Sequence, residues 1–452
     1  MTRPCRIAVP ALLAPSPALA HAAERMVILA LPTGRYMLGA ALAVALTALA
    51  GLLAPRLPGP RPVALARVPA LPRHAGSWAA AIAALGLVAI GVLGPRDPLG
   101  NLLSLTVWTF LAVGLALASM ALGNLWAAID PWTGPATLLR RRLGLTGSVG
   151  LARLGHLPAI VGLFGLAWFE IVAPAPDDPA VLARVVLGYW LLYLALATAE
   201  GPAWLATGEA LSLWFGFVAR IAPLWRRPAD GRLMLGPPGA QILAMPPLGP
   251  GAIGFVTLML AAVGFDGLRA TFWWLGRIGV NPLEFPGRSA VVGVNTLGLA
   301  AAWALTAASI LGAVALGRRL APAPGRFRDE AGPALLAFLP IAAGYHAAHC
   351  LVALLGNGQY LVAALDDPLG RGWSLLGLPH HWVSFGFASD PASVAAIWNA
   401  QFALILGAHL LAVLLGLRLA GPRPRLAHLP MTALMVAYTV FGLWLLSAAT
   451  GT

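Results

Sequence analysis

Long apolar stretches recur along this chain, separated by short segments rich in arginine, proline and glycine. An α-helix crosses a hydrocarbon core with roughly 20 apolar residues, at about 1.5 Å per residue. On that template ten membrane spans are predicted. The first five lie near Tyr36–Leu53, Trp78–Leu93, Leu102–Met120, Leu157–Val172 and Val181–Ala199. The second five lie near Gly251–Phe265, Ala290–Val314, Ala334–Leu355, Ile397–Leu417 and Pro430–Ala449. Trp204–Leu224 is apolar enough for a helix, but Glu209 and Arg220 interrupt it. An eleventh crossing there would carry the Arg226-Arg227 pair to the other side, so an interfacial or re-entrant helix is expected.

Composition agrees with the pattern. Of 452 residues, 59% are hydrophobic and 10% charged, against about 45–50% apolar and about 25% charged in soluble domains. So few charges could not cover so much apolar surface in water. A secreted enzyme, a cytosolic globule, a nucleic-acid binder and a disordered chain are thereby excluded, and the lipid bilayer is the partner that remains. The expected fold is an all-α polytopic transmembrane bundle.

The net charge of +13 is carried by arginine alone, 29 residues with no lysine. Alternating the ten spans places 19 arginines in five inner loops and eight on the outer side. Inner loops hold Arg56 to Arg73, Arg140 to Arg153, Arg220 to Arg232, Arg318 to Arg328 and Arg418 to Arg425. Outer segments hold most of the acids, including Asp177-Asp178, Asp366-Asp367 and Asp390. The excess of positive charge therefore reads as a topology signal, with a bacterial inner-membrane location and both mature termini periplasmic.

Residues 1–20 read as a signal segment preceding a single membrane domain over 21–452. Arg3 and Arg6 precede the apolar stretch Ile7 to Ala14 and an Ala18-Leu19-Ala20 cleavage pattern. Cleavage there would expose His21, whose amine and imidazole could chelate copper. The two cysteines, Cys5 and Cys350, build no disulfide framework. Asp97-Pro98-Leu99-Gly100 recurs as Asp367-Pro368-Leu369-Gly370, which ordinary turn chemistry explains.

Ionisable residues inside a bilayer cost about 2.5–3.5 kcal/mol or more and are functional candidates by default. Glu170 ends the fourth span and Asp266 the sixth, while His346 and His349 lie in the eighth and His409 in the ninth. The i, i+3 spacing puts His346 and His349 on one helical face. Their depths are compatible with one site shared with His409 on an antiparallel helix. The sharp reading is a metal site for zinc or copper, with His349, His409 and His346 as ligands and Glu170 or Asp266 as ligand or base. The plainer reading is interhelical hydrogen bonding. Gly356–Ser393, with Asp366-Asp367, Arg371, His380-His381 and Asp390, is expected as an outer loop, either a lid or simply solvated. Asp130-Pro131-Trp132 reads as a turn. The sequence has no Walker loop, dinucleotide fingerprint or GxSxG elbow.

Several strings carry a family resemblance over nearly the whole length. They are Trp168-Phe169-Glu170, Trp214 to Leu224 (WFGFVARIAPL), Phe265-Asp266-Gly267, Ala348-His349, Asp367 to Gly370, Gly407-Ala408-His409 and Gly442 to Ala449. In these the chain resembles the integral membrane proteins called fenitrothion hydrolase, of the membrane-subunit type. The resemblance implies organophosphate triester hydrolysis, a periplasmic partner subunit, and a histidine core of His349 and His409 without His346. Two other functions fit the same residues: a transporter or metal-handling permease, and a non-catalytic membrane partner of a periplasmic enzyme.

Overall fold

The computed structural model describes residues 33–53, 61–69, 74–322, 324–379, 381–421 and 423–451. The expected signal segment, His21 and His380 lie outside the described residues.

The architecture is the expected all-α polytopic bundle. Its main helices are α1 (Thr33–Leu53), α2 (Ala75–Leu93), α3 (Leu102–Leu122), α4 (Leu157–Ile171), α5 (Pro179–Glu200) and α6 (Ala210–Val218). There follow α7 (Pro250–Arg269), α8 (Val292–Leu320), α9 (Arg328–Leu336), α10 (Leu339–His349), α11 (Leu351–Asp366), α12 (Pro391–Leu419) and α13 (Leu429–Ser447). Among the described residues nine helical segments are long and apolar enough to cross a membrane. The tenth expected span is α4, whose 15 residues reach only about 22 Å. It still joins the two faces. Its start touches the arginine-bearing side, where His156 donates to the Thr207 carbonyl at 2.9 Å. Beyond its end, Ser104 and Trp108 of α3 donate to the carbonyls of Asp177 and Pro176.

Helix starts are written in the sequence. Asp178 accepts from the amides of Ala180 and Val181 to begin α5, with Pro179 in the first turn. Asp390 does the same for α12 through Ser393, with Pro391 following. Each carboxylate satisfies amides that have no intrahelical partner. On α1 the face turned inward is small, with Ala40, Val44 and Ala48 fully buried against α12 and α13. The outward face carries Leu38, Leu42, Leu46, Leu49 and Leu53, all more than half exposed. Small residues let helix backbones approach, and leucines meet lipid tails.

Contacts between loops reproduce the alternation read from the arginines. On the basic face, Glu330 binds both Arg318 and Arg423, and Arg140 donates to the carbonyls of Thr198 and Ala199. On the opposite face, Arg96 pairs with Asp178 at 3.3 Å, and Phe272 donates to the Ala449 carbonyl. A short antiparallel sheet, absent from the sequence reading, ties two basic loops together. Its strands are β1 (Val63–Arg67), β2 (Leu224–Arg226) and β3 (Arg232–Leu235), in the order β1-β3-β2.

Three elements depart from regular crossings. Trp204–Leu224 is a broken re-entrant segment, interrupted at Glu209, which caps α6 by accepting from Leu211 and Ser212. Glu209 is fully buried and also accepts from Tyr189, so the two amides and the hydroxyl at this break are satisfied by protein. The span expected at Ala334–Leu355 is the apolar segment Arg328–His349, which consists of α9 and α10 with a break at Ala337, and α11 follows as a separate helix after Cys350. The loop expected from Gly356 therefore starts only at Asp367, because Gly356 to Asp366 belong to α11 and pack on α3. Within α3, Thr106–Leu115 is wound as a π-helix.

Candidate functional site: a half-buried acid–base pair

A charged cluster within the bundle is built on one turn of α7. Asp266 and Arg269 are three residues apart and so share a helical face. Asp266 Oδ1 accepts from Arg269 Nε at 3.0 Å and Nη2 at 2.9 Å. The second oxygen, Oδ2, lies 3.1 Å from His349 Nε2 at the end of α10. A carboxylate offers only acceptors, so Nε2 carries the hydrogen of this bond. Tyr345, one turn before His349, stacks on its ring at 6.0 Å and 10°.

The side chains of Asp266 and His349 are 20% and 25% exposed, whereas Arg269 is 8% exposed. The cation is thus sealed in, whereas the acid–base pair is half-buried. Glu170, at the end of α4, stands within electrostatic range of Asp266, Arg269, His349 and Asp177. Arg288 donates to the carbonyls of Glu170 and Ala173, at 2.8 and 3.4 Å, and so closes the C-terminus of α4. Asp266 and His349 therefore meet, with Glu170 within electrostatic range, on the side away from the basic face.

The other two histidines go elsewhere. His346 Nε2 donates to the Ala112 carbonyl in the π-helical stretch at 2.8 Å, and its ring meets Trp214 of the re-entrant segment edge to face at 5.5 Å. His409 Nδ1 donates to the Ile405 carbonyl of its own helix at 2.8 Å. It is 2% exposed, and its Nε2 has no hydrogen-bond partner among the described residues. His346 and His349 are three residues apart on α10, yet each binds a different neighbouring helix, α3 and α7.

This arrangement tests the expected metal. Among the described residues no group of three or more His, Cys, Asp and Glu side chains could hold a metal ion. The three rings also turn to different neighbours, His349 to Asp266, His346 to Ala112 and His409 to its own helix. The residues present do not fit a resident zinc or copper ion shared by His349, His409 and His346.

A cavity of about 280 Å³ is lined by chain neighbours of the pair, though by neither Asp266 nor His349 itself. Phe265, Tyr345, His409, Tyr438 and Phe441 are among the residues that line it. Phe265 precedes Asp266 in the chain, and Tyr345 stands between the cavity and the His349 ring. Sequence reading missed the parts played by Arg269 and Tyr345. The Asp266-x-x-Arg269 spacing was the available signal for the first of them.

No family model, curated protein or solved structure matches the chain. The fold and the arrangement of apolar helices define its class, a multi-pass helical membrane protein.

Proposed function

We propose that this membrane protein is a hydrolase, or the membrane subunit of one, in which His349 activates water under the control of Asp266. The observation that carries the reading is the geometry of Asp266, held by Arg269 on one oxygen and binding His349 Nε2 on the other. An aspartate so placed fixes the tautomer and orientation of the imidazole and stabilises the cation formed when the ring takes a proton. The imidazole then takes a proton from water as the water oxygen forms a bond to the electrophilic centre. The bond to the leaving oxygen breaks, and the leaving group departs as an oxyanion. No metal enters this scheme.

The adjoining apolar cavity favours a neutral substrate that partitions into lipid. A phosphotriester, the class implied by the family resemblance, carries no charge and fits that chemistry. The test is release of the phenol from a neutral aryl phosphotriester by protein in nanodiscs. Replacing His349→Gln or Asp266→Asn is expected to lower the rate about 100-fold, the lower end of general-base contributions. Treatment with a chelator is expected to leave the wild-type rate unchanged. Absence of turnover by wild-type protein rejects the reading, and loss of turnover on chelation rejects its metal-free form.

A second reading, transport, is favoured by a separate observation. The π-helical stretch of α3 and the re-entrant segment both reach His346 through Ala112 and Trp214, and interrupted helices at membrane depth are a common form of transporter site. It requires these groups to be reached from both faces.

A further inference from the structure

The basic face carries an amphipathic sheet. Its register places Val63 beside Leu235, Leu235 beside Leu224, and Arg226 beside Leu233. Ala64, Met234 and Trp225 form the alternate set, because successive strand residues point to opposite faces. That second set is turned toward the bundle. Met234 is buried, and the Trp225 side chain approaches so near to Gly123 that a Cβ there would sit 3.0 Å from it. The first set is left open, with Val63 60%, Leu235 48% and the neighbouring Leu65 49% exposed.

Charge around this face is one-sided. Segments 61–69 and 222–240 contain five arginines, Arg61, Arg67, Arg226, Arg227 and Arg232, and one acid, Asp230. Asp230 is taken up by Arg227 at 2.9 Å and lies 3.8 Å from Arg232. Arg67 and Arg232 are direct cross-strand partners, a juxtaposition that repels unless an anion lies between or beside them. The strands also leave the bundle close to its membrane helices, since α1 ends at Leu53 and β1 begins at Val63.

We infer that this sheet is an interfacial anchor that lays its apolar face into the headgroup layer of anionic lipid, with its arginines on lipid phosphates. An apolar face bordered by arginine is the chemistry that binds in the plane of such a surface. A protein partner would need acids of its own to match the same rim, and nothing in the chain supplies them.

The test places a nitroxide at Leu65→Cys in full-length protein carrying Cys5→Ser and Cys350→Ala. The protein is reconstituted in phosphatidylcholine alone, or in equal parts phosphatidylcholine and phosphatidylglycerol. With phosphatidylglycerol, collisions with oxygen are expected to exceed those with an aqueous nickel chelate, and the preference should drop in phosphatidylcholine alone. Replacing Arg67→Gln and Arg232→Gln together should abolish the dependence on lipid. A preference for the nickel chelate in both lipids overturns the inference, as does shielding from both reagents, which would mean that protein covers the face. Wild-type protein gives an independent check. A phosphatidylglycerol bearing a photoreactive group near its head should label residues 63–68 and 233–235, and absence of those adducts overturns the inference as well.

Discussion

Asp266 does two jobs at once, neutralising a sealed arginine and orienting a half-buried imidazole. The two should separate in mutants. Asp266→Asn leaves Arg269 buried without its charge partner, a change that costs about 3 kcal/mol in comparable buried pairs. A lowered unfolding temperature in detergent is therefore expected, with a much smaller drop for His349→Gln, which leaves the Asp266–Arg269 pair intact. Equal melting of Asp266→Asn and wild type would show that the pair contributes no stability. Asp367 offers a second prediction at this scale. Amides of Arg371 and Gly372 donate to it at 2.9 and 2.7 Å, and these bonds hold its carboxyl below the usual carboxylate range. A depressed value in the folded state means stabilisation that is present above the ordinary aspartate value, about 3.9, and lost as pH falls through the lower folded one. Amide exchange over 370–373, corrected for intrinsic rates, should be constant between about pH 5 and about pH 7 and rise below about pH 4. Protection that persists below that range would contradict the role given to Asp367. Sequence alone revealed which residues were costly to bury, because an ionisable group in an apolar run is visible without a structure. Their partners were not visible. Ala112 and Asp266 lie more than 80 residues from the histidines they bind, and no local spacing encodes such pairings.

Helices were legible where a cap or an arginine cluster marked their ends, as Asp178-Pro179 and Asp390-Pro391 do. Breaks inside apolar runs were not. Cys350 divides α10 from α11 without a proline or glycine at the break, and the π-helical turn of α3 has an ordinary apolar sequence. Five-residue β1 pairs with a strand more than 160 residues away, so its periodicity was too short to read. The element most exposed to test is the contact of α10 with α12. A Cβ on Gly344 would lie 2.3 Å from the Ala408 Cβ and 3.0 Å from the Leu404 carbonyl oxygen. Gly344→Leu should therefore force these helices apart, at a cost of about 1–3 kcal/mol or more, seen as an earlier thermal loss of helical signal. An unchanged transition would show that the two helices do not pack as described. For the re-entrant segment, Glu209→Ala removes a cap and strands the Tyr189 hydroxyl, with a loss of about 2 kcal/mol. Glu209→Gln keeps an acceptor in place and should lose less. Indistinguishable stability of the two variants would argue that capping is not what Glu209 contributes.

At the scale of the whole molecule the arginines had already ordered the crossings, and the loops they mark do meet on one face. That ordering fixes the side on which function is to be sought. Asp266, Arg269 and His349 gather at the end of α7 away from the basic face, while Glu209 at the start of α6 is sealed by Tyr189 and two amides. Hydrolysis by water drawn from one side needs only the first of these groups. Transport needs a route past the second. The most direct measurement is carbethoxylation of His349 by diethylpyrocarbonate in sealed proteoliposomes of known orientation, with modification read by mass spectrometry after brief exposure of one side at a time. A one-sided acid–base centre predicts rapid modification of His349 from the face opposite the arginines and protection from the basic face. Equal modification from both faces would contradict it.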